Sequence, residues 1–407
     1  MSTKETAARV GPGQGAVATS EPRTAVGRVA SADALKVILV SWVIGCHALL
    51  GYLRIGGWPY DEVAEATVPP LVELVMSVAL GPTSLFVIGA FFFLAGMFAP
   101  GERSRHGRRG FVRRRMSRLG LAWLVFLVLV WPLCMWVAYR AAGYDVQPWQ
   151  TFLDRQPFLD SGPLWFAQVL LYVSIGYALW PSVGAGRRRN APGRRVVGPR
   201  TLALAIMLIA ITTFVVRLEF PARSQQVLDL HLWQWPQCVG MFALGVLVSS
   251  QGWILQVPHD VARWCRLVML GALAVAPVLM VVFGVDDVAR DGAPFLGGLR
   301  LEAAALAAVE AVLVVTASIA LLHLAQKRFS SPGRVITRCA RGAYAAYLLQ
   351  VPVLIGLSVA LRPLPIPALA KALVVGVVGV AGCLWLGAVL TATHHRFRPV
   401  RPPRPEV

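Results

Sequence analysis

Between residues 35 and 392 the chain alternates long apolar runs with short polar breaks. Ten of these runs are long enough, or nearly so, to cross a bilayer as a helix, which takes roughly 20 apolar residues. They are 35–53, 71–98, 119–138, 164–182, 201–217, 237–250, 266–283, 301–324, 343–361 and 369–392. The sixth is the shortest. The second contains Gly81-Pro82, where a kink or break is expected, because proline removes a backbone donor and crowds the preceding turn. The pattern predicts an all-α integral membrane protein with about ten transmembrane helices, forming one membrane domain over 31–392. Residues 1–30 are mostly small residues with scattered charge, and no apolar stretch of signal-peptide length occurs there. They are expected to be a disordered cytoplasmic tail. Residues 393–407 are expected to be a basic, Pro-rich cytoplasmic tail.

Composition agrees with this division. Of the 407 residues 57% are hydrophobic and 14% are charged, against about 25% charged in soluble chains. A large soluble domain and extensive disorder are both excluded. The formal charge is +19, from 39 Lys+Arg against 20 Asp+Glu. With the N-terminus placed inside, 30 of the basic residues fall in the inner segments and nine in the outer ones. The heaviest inner loops are 102–118 (ERSRHGRRGFVRRRMSR) and 186–195 (GRRRNAPGRR), and most loop acids lie on the other side. This asymmetry predicts both termini inside and a multi-pass protein of the inner or plasma membrane. Because the charge sits in short clusters between apolar runs, the partner it implies is a lipid surface and not nucleic acid. The six cysteines are scattered singly, without a CxxC pair or a Cys/His spacing suited to a metal. Cys46 and His47 are neighbours on a helix, about 100° apart around its axis, so they do not pair.

Ionisable residues inside apolar runs are costly and therefore candidates for function. His47, in ALKVILVSWVIGCHALLGY, is the first. It follows Lys36 by eleven residues, about three turns and 16 Å of rise, so the two share one helix face. A neutral imidazole is the usual general base near neutral pH; the bland reading is a packing hydrogen bond to another helix. A base sharing a face with a cation at the inner boundary suits a substrate with an anionic head and a reactive far end. Acyl-CoA has that shape. FFFLAG, residues 91–96, closes the second run, with small residues that permit close helix approach. FVRRRMSRL, 111–119, places Arg115 and Arg118 on one face, a pair suited to phosphate but also to simple positive-inside anchoring. SGPLWFAQVLLYV, 161–173, places Trp165 at the outer interface, where an aromatic belt is the competing explanation. Glu73, Glu302 and Glu310 are acids at membrane depth. Glu310 is the deepest, and three roles are open to it: orienting an imidazole, accepting a sugar hydroxyl, or pairing with an arginine such as Arg217 or Arg300.

Together these motifs resemble those of the acyltransferase-3 family of membrane-bound acyltransferases, which includes sugar and polysaccharide O-acetyltransferases and a succinyltransferase acting on periplasmic glucans. Lys36 and His47 fit the family's pattern of a basic residue, ten residues, then histidine. Phe91–Gly96 resembles its FFxLSG, with Ala95 in place of serine. Phe111, Arg115, Arg118 and Leu119 match its entry to the third span, and Gly162–Phe166 its GPLWF. The stretches 235–253 and 344–355 also look familial, with Gln350 where histidine is frequent.

The resemblance implies an integral membrane O-acyltransferase. It would move an acetyl, succinyl or similar group from cytoplasmic acyl-CoA to a hydroxyl of an extracytoplasmic or membrane-associated carbohydrate or glycolipid. His47 would be the general base. Lys36, Arg115 and Arg118 would hold the CoA phosphates, with Glu310 and Trp165 as further substrate contacts. Acyl-CoA enters as co-substrate; no bound cofactor and no metal are implied. The alternative is a multi-span transporter or a lipid or glycolipid flippase without acyl transfer.

Overall fold

The computed structural model describes residues 23–396 apart from 55–57, 59, 61–62, 64–66, 155–157, 181–196, 225, 284–291, 330 and 332. The predicted tails fall largely outside these residues, as do the 186–195 cluster and several acids of the outer loops. The first helix, α1 (Arg23–Leu50), begins before the boundary expected at residue 31.

The remaining helices follow the apolar runs. They are α2 (Pro70–Arg115), α3 (Trp131–Ala141), α4 (Trp165–Leu179), α5 (Pro199–Glu219), α6 (Trp235–Ser249), α7 (His259–Val282), α8 (Leu301–Arg328), α9 (Arg334–Leu361) and α10 (Ala368–Arg396). Two π-helical turns, Met116–Gly120 and Phe126–Val130, carry the helical path from α2 into α3. Among the described residues, eight helical stretches are long and apolar enough to cross a membrane, one of them running from Pro70 to Ala141. That stretch contains both the second and the third apolar run, and α6, at 15 residues, is the short sixth run. Many large apolar side chains face outward, among them Leu71, Leu129, Val281 and Val377, all more than 60% exposed. An apolar exterior of this extent is a lipid-facing surface, and the chain is a multi-pass membrane protein.

The expected break at Gly81-Pro82 is not there: α2 continues through Pro82. The Thr83 and Ser84 hydroxyls donate to the Leu80 and Gly81 carbonyls, each at 2.6 Å; the carbonyl that loses its backbone donor to proline is that of Val78, one turn earlier. The chain bends instead at Gly107, whose φ of 65° and ψ of 174° are not helical. A straight helix would separate Glu102 from Arg115 by about 19 Å; their side chains meet at 2.9 Å. The basic loop of 102–118 is therefore a reversal between two spans.

Helix α8 is central, touching α1, α2, α5, α6 and α7. Helix α1 packs on α9 and α10 as well as on α8, which sets its face against α9. The FFFLAG segment is explained by a close crossing of α2 and α6. A Cβ added at Gly96 would lie 2.1 Å from the Phe242 carbonyl oxygen, and one at Gly245 would lie 2.2 Å from that of Phe93. Glycine at both positions lets the two backbones touch, as membrane helix pairs do.

A candidate active site on the first helix

His47 lies one turn before the end of α1 and is half-buried. Two contacts fix its ring. Its Nδ1 is 2.9 Å from Oε1 of Gln350 on α9, and its plane stacks on Trp58 with ring centroids 4.6 Å apart and 20° between planes. An amide oxygen only accepts hydrogen bonds, so Nδ1 carries a proton, and in a neutral ring Nε2 then keeps its lone pair. Trp58 and Gln350 are themselves buried. The arrangement fixes the ring with Nδ1 toward Gln350 and Nε2 directed away from it; a neutral imidazole held so could act as a base through Nε2.

Gln350, which stands where the resemblance implies histidine, is thus the side chain that bonds His47. Glu310, one of whose open roles was to orient an imidazole, does something else. Its Oε2 accepts from Arg217 Nη2 at 2.7 Å in a buried pair joining α8 to α5. Of the three roles left open for Glu310, the ion pair is the one these contacts display, and it leaves the carboxylate able to accept a further hydrogen bond.

About three turns before His47, near the middle of α1, Lys36 pairs with Asp33 at 2.8 Å and lies over the Phe98 ring at 4.8 Å. One turn along α2 from Phe98, Glu102 accepts from Arg115 at 2.9 Å and approaches Arg114 at 3.8 Å. Lys36 and Arg115 therefore meet successive turns of the same helix. Arg118 is exposed, close enough to influence both Arg115 and Tyr344 electrostatically. Arg115 Nε and the Tyr344 hydroxyl are buried with no hydrogen-bond partner among the described residues. Cations and unused donors thus gather at one end of the bundle, about three turns from the imidazole along α1.

Trp165 is half-buried and stacks on His231, with centroids 4.3 Å apart. Its turn is shaped by Gly162, with φ of 50°, where an added Cβ would enter the Trp131 ring. The Tyr347 hydroxyl donates to the Pro163 carbonyl, and Phe166 sits edge-on to Phe91, Phe92 and Tyr347. Tyr347 precedes Gln350 by one turn of α9, so the GPLWF turn is packed against the layer that holds His47. Sequence reasoning missed Trp58, His231 and Trp233. The signal in the sequence for Gln350 is an amide inside an apolar run.

Fold and site together define a multi-pass membrane protein with an oriented imidazole inside its helix bundle. The family model described as an acyltransferase domain, that of the acyltransferase-3 family, matches residues 29–388. The chain belongs to this family and is a membrane acyltransferase. No curated protein and no solved structure matches it.

Proposed function

We propose that the protein transfers an acetyl, succinyl or similar group from cytoplasmic acyl-CoA to a hydroxyl of an extracytoplasmic or membrane-associated carbohydrate, with His47 as general base. In this reading both termini are cytoplasmic and the membrane is the inner or plasma membrane. The CoA phosphates sit at the end bearing Lys36, Arg115 and Arg118. The acyl arm runs along α1 toward His47. Nε2 of His47 takes the proton of the acceptor hydroxyl as its oxygen bonds to the thioester carbonyl carbon. The tetrahedral intermediate then collapses with cleavage of the carbon–sulfur bond, and the imidazolium returns the proton to the departing thiolate.

The observation that carries the proposal is the His47–Gln350 hydrogen bond, which leaves a base nitrogen inside the bundle. The test is CoA release by purified wild-type and His47→Ala proteins at equal folded amount. The variant is expected to lose a factor of about 10²–10⁴ in turnover; near-wild-type turnover would reject His47 as the base.

The cationic end makes a second, separable claim. Lys36→Ala and Arg115→Ala are expected to raise the Michaelis constant for acyl-CoA and its sensitivity to salt. Lys36→Arg is expected to be milder, since a lysine holds phosphate as a point charge. Anchoring to anionic lipid, worth about 1 kcal/mol per residue, would instead lower the amount of inserted protein and leave the constant unchanged.

A further inference from the structure

A second chemical anomaly lies where α5 meets α8. Arg217 is 2% exposed and uses Nη2 on Glu310. Its Nε and Nη1 are buried without a hydrogen-bond partner among the described residues, and the same holds for the indole Nε1 of Trp233. The Trp233 ring lies against the guanidinium, 5.4 Å from its carbon. Three buried donor nitrogens without acceptors among the described residues therefore belong to two side chains in contact. Native structures rarely leave such donors empty unless a ligand or ordered water meets them.

The surroundings are aromatic and strained. His231 lies 5.5 Å from Trp233 and is stacked on Trp165. The segment carrying His231 has Leu228, Asp229 and His231 all at positive φ, between 47° and 63°. Non-glycine residues rarely adopt that conformation, and such strain gathers at binding sites. A line of contacts leads from here to the base: Trp233 to His231, His231 to Trp165, the turn before Trp165 to Tyr347, and Gln350 one turn further to His47.

We propose that Arg217, Glu310 and Trp233 form the subsite that holds the acceptor, and that the part of the acceptor bound there is an uncharged, hydroxyl-bearing sugar ring. The three free donors call for oxygen atoms. The guanidinium is already balanced by Glu310 at 2.7 Å, and that carboxylate would repel a carboxylate or phosphate placed beside it. Sugar hydroxyls satisfy both sides of the pair, accepting from Arg217 and Trp233 and donating to Glu310. The aromatic wall of Trp233, His231 and Trp165 suits the apolar C–H face of a ring. The fate of the bound sugar rests on the acyl-transfer reading; its binding does not.

The experiment measures binding, so that the two claims fail separately. Full-length His47→Ala protein in nanodiscs, without acyl-CoA, is titrated by calorimetry with a neutral gluco-oligosaccharide and with a length-matched oligosaccharide containing glucuronate. The neutral sugar is expected to bind, and the glucuronate-containing one more weakly. Adding Trp233→Phe keeps the ring but removes one donor, and should weaken binding about tenfold, the worth of one hydrogen bond. Replacing the pair together, Arg217→Met with Glu310→Leu, leaves no unpaired buried charge and should fold while abolishing detectable binding. The subsite is overturned by failure of the neutral sugar to bind, by preference for glucuronate, or by an unchanged dissociation constant in the folded Trp233→Phe protein. Sugar binding in a wild-type protein that transfers no acyl group would leave the subsite standing and remove the acyl-transfer reading. Acyl transfer with an unaltered acceptor constant in Trp233→Phe would do the reverse.

Discussion

At the scale of single residues, the proposed chemistry turns on the tautomer of His47, and Gln350 is the side chain that meets its Nδ1. Replacing it by Gln350→Leu removes the acceptor for Nδ1–H and lets the ring turn. Turnover is then expected to fall on the order of tenfold or more, as orientation of the base is lost, with the donor Michaelis constant unchanged. Gln350→Glu should retain activity, because a carboxylate also accepts from Nδ1–H and favours the imidazolium that forms during proton transfer. Steady-state kinetics on the two variants separate this role from simple packing: equal losses would mean that Gln350 only fills space. His47 and Lys36 were legible in the sequence because an ionisable group in an apolar run is costly and a separation of eleven residues keeps one face. The roles of Gln350 and Arg217 were not legible. Gln350 lies 303 residues from His47, and Arg217 lies 93 from Glu310. No local periodicity reports which of several helices will stand beside another.

At the scale of elements, the helices were readable and their joints were not. The apolar runs located α1 to α10, since length and hydropathy mark a span, but only α4, α5, α6, α8 and α10 end close to their runs; α1, α2, α7 and α9 extend into polar flanks and α3 begins inside the third run. No break falls at Pro82, through which α2 continues, and the reversal uses Gly107 in a charged segment. The crossing of α2 and α6 is set by Gly96 and Gly245. Gly96→Ala would press a methyl group onto the Phe242 carbonyl and is expected to cost about 1–3 kcal/mol through forced separation of the helices, measurable as a lower thermal midpoint in detergent. The loop between α5 and α6 gives a pH dependence. Burial holds the His231 imidazole below its ordinary value, although the Asp229 carbonyl and the Asp160 carboxylate favour the proton. The unfolded chain then binds the proton more readily than the folded one, so His231's contribution to stability is lost as pH falls below about 6.5. His231→Phe preserves a ring against Trp165 but does not titrate. It should lose less thermal stability than wild type between pH 7.5 and 5.5, and an equal loss would place the pH sensitivity elsewhere.

At the scale of the whole molecule, the proposed donor chemistry lies at one end of the bundle and the proposed acceptor chemistry at the other, with His47 nearer the second. Lys36, Arg115 and Arg118 occupy the end rich in basic residues. The Arg217–Glu310 pair occupies the end where α5 finishes and α8 begins. Reporter fusions after Val407 and within 292–300 are expected to report opposite sides of the membrane, the first cytoplasmic; a cytoplasmic signal from both would remove the ten-span arrangement. The central claim is that this arrangement moves an acyl group onto carbohydrate through His47. It is tested most directly by mass spectrometry of surface carbohydrate from a strain lacking the gene, complemented with wild-type or His47→Ala protein at equal membrane abundance. The account predicts an acyl mass increment on the sugar with wild-type protein and its loss with His47→Ala. An increment that is the same with both proteins, or absent with wild type, would contradict it.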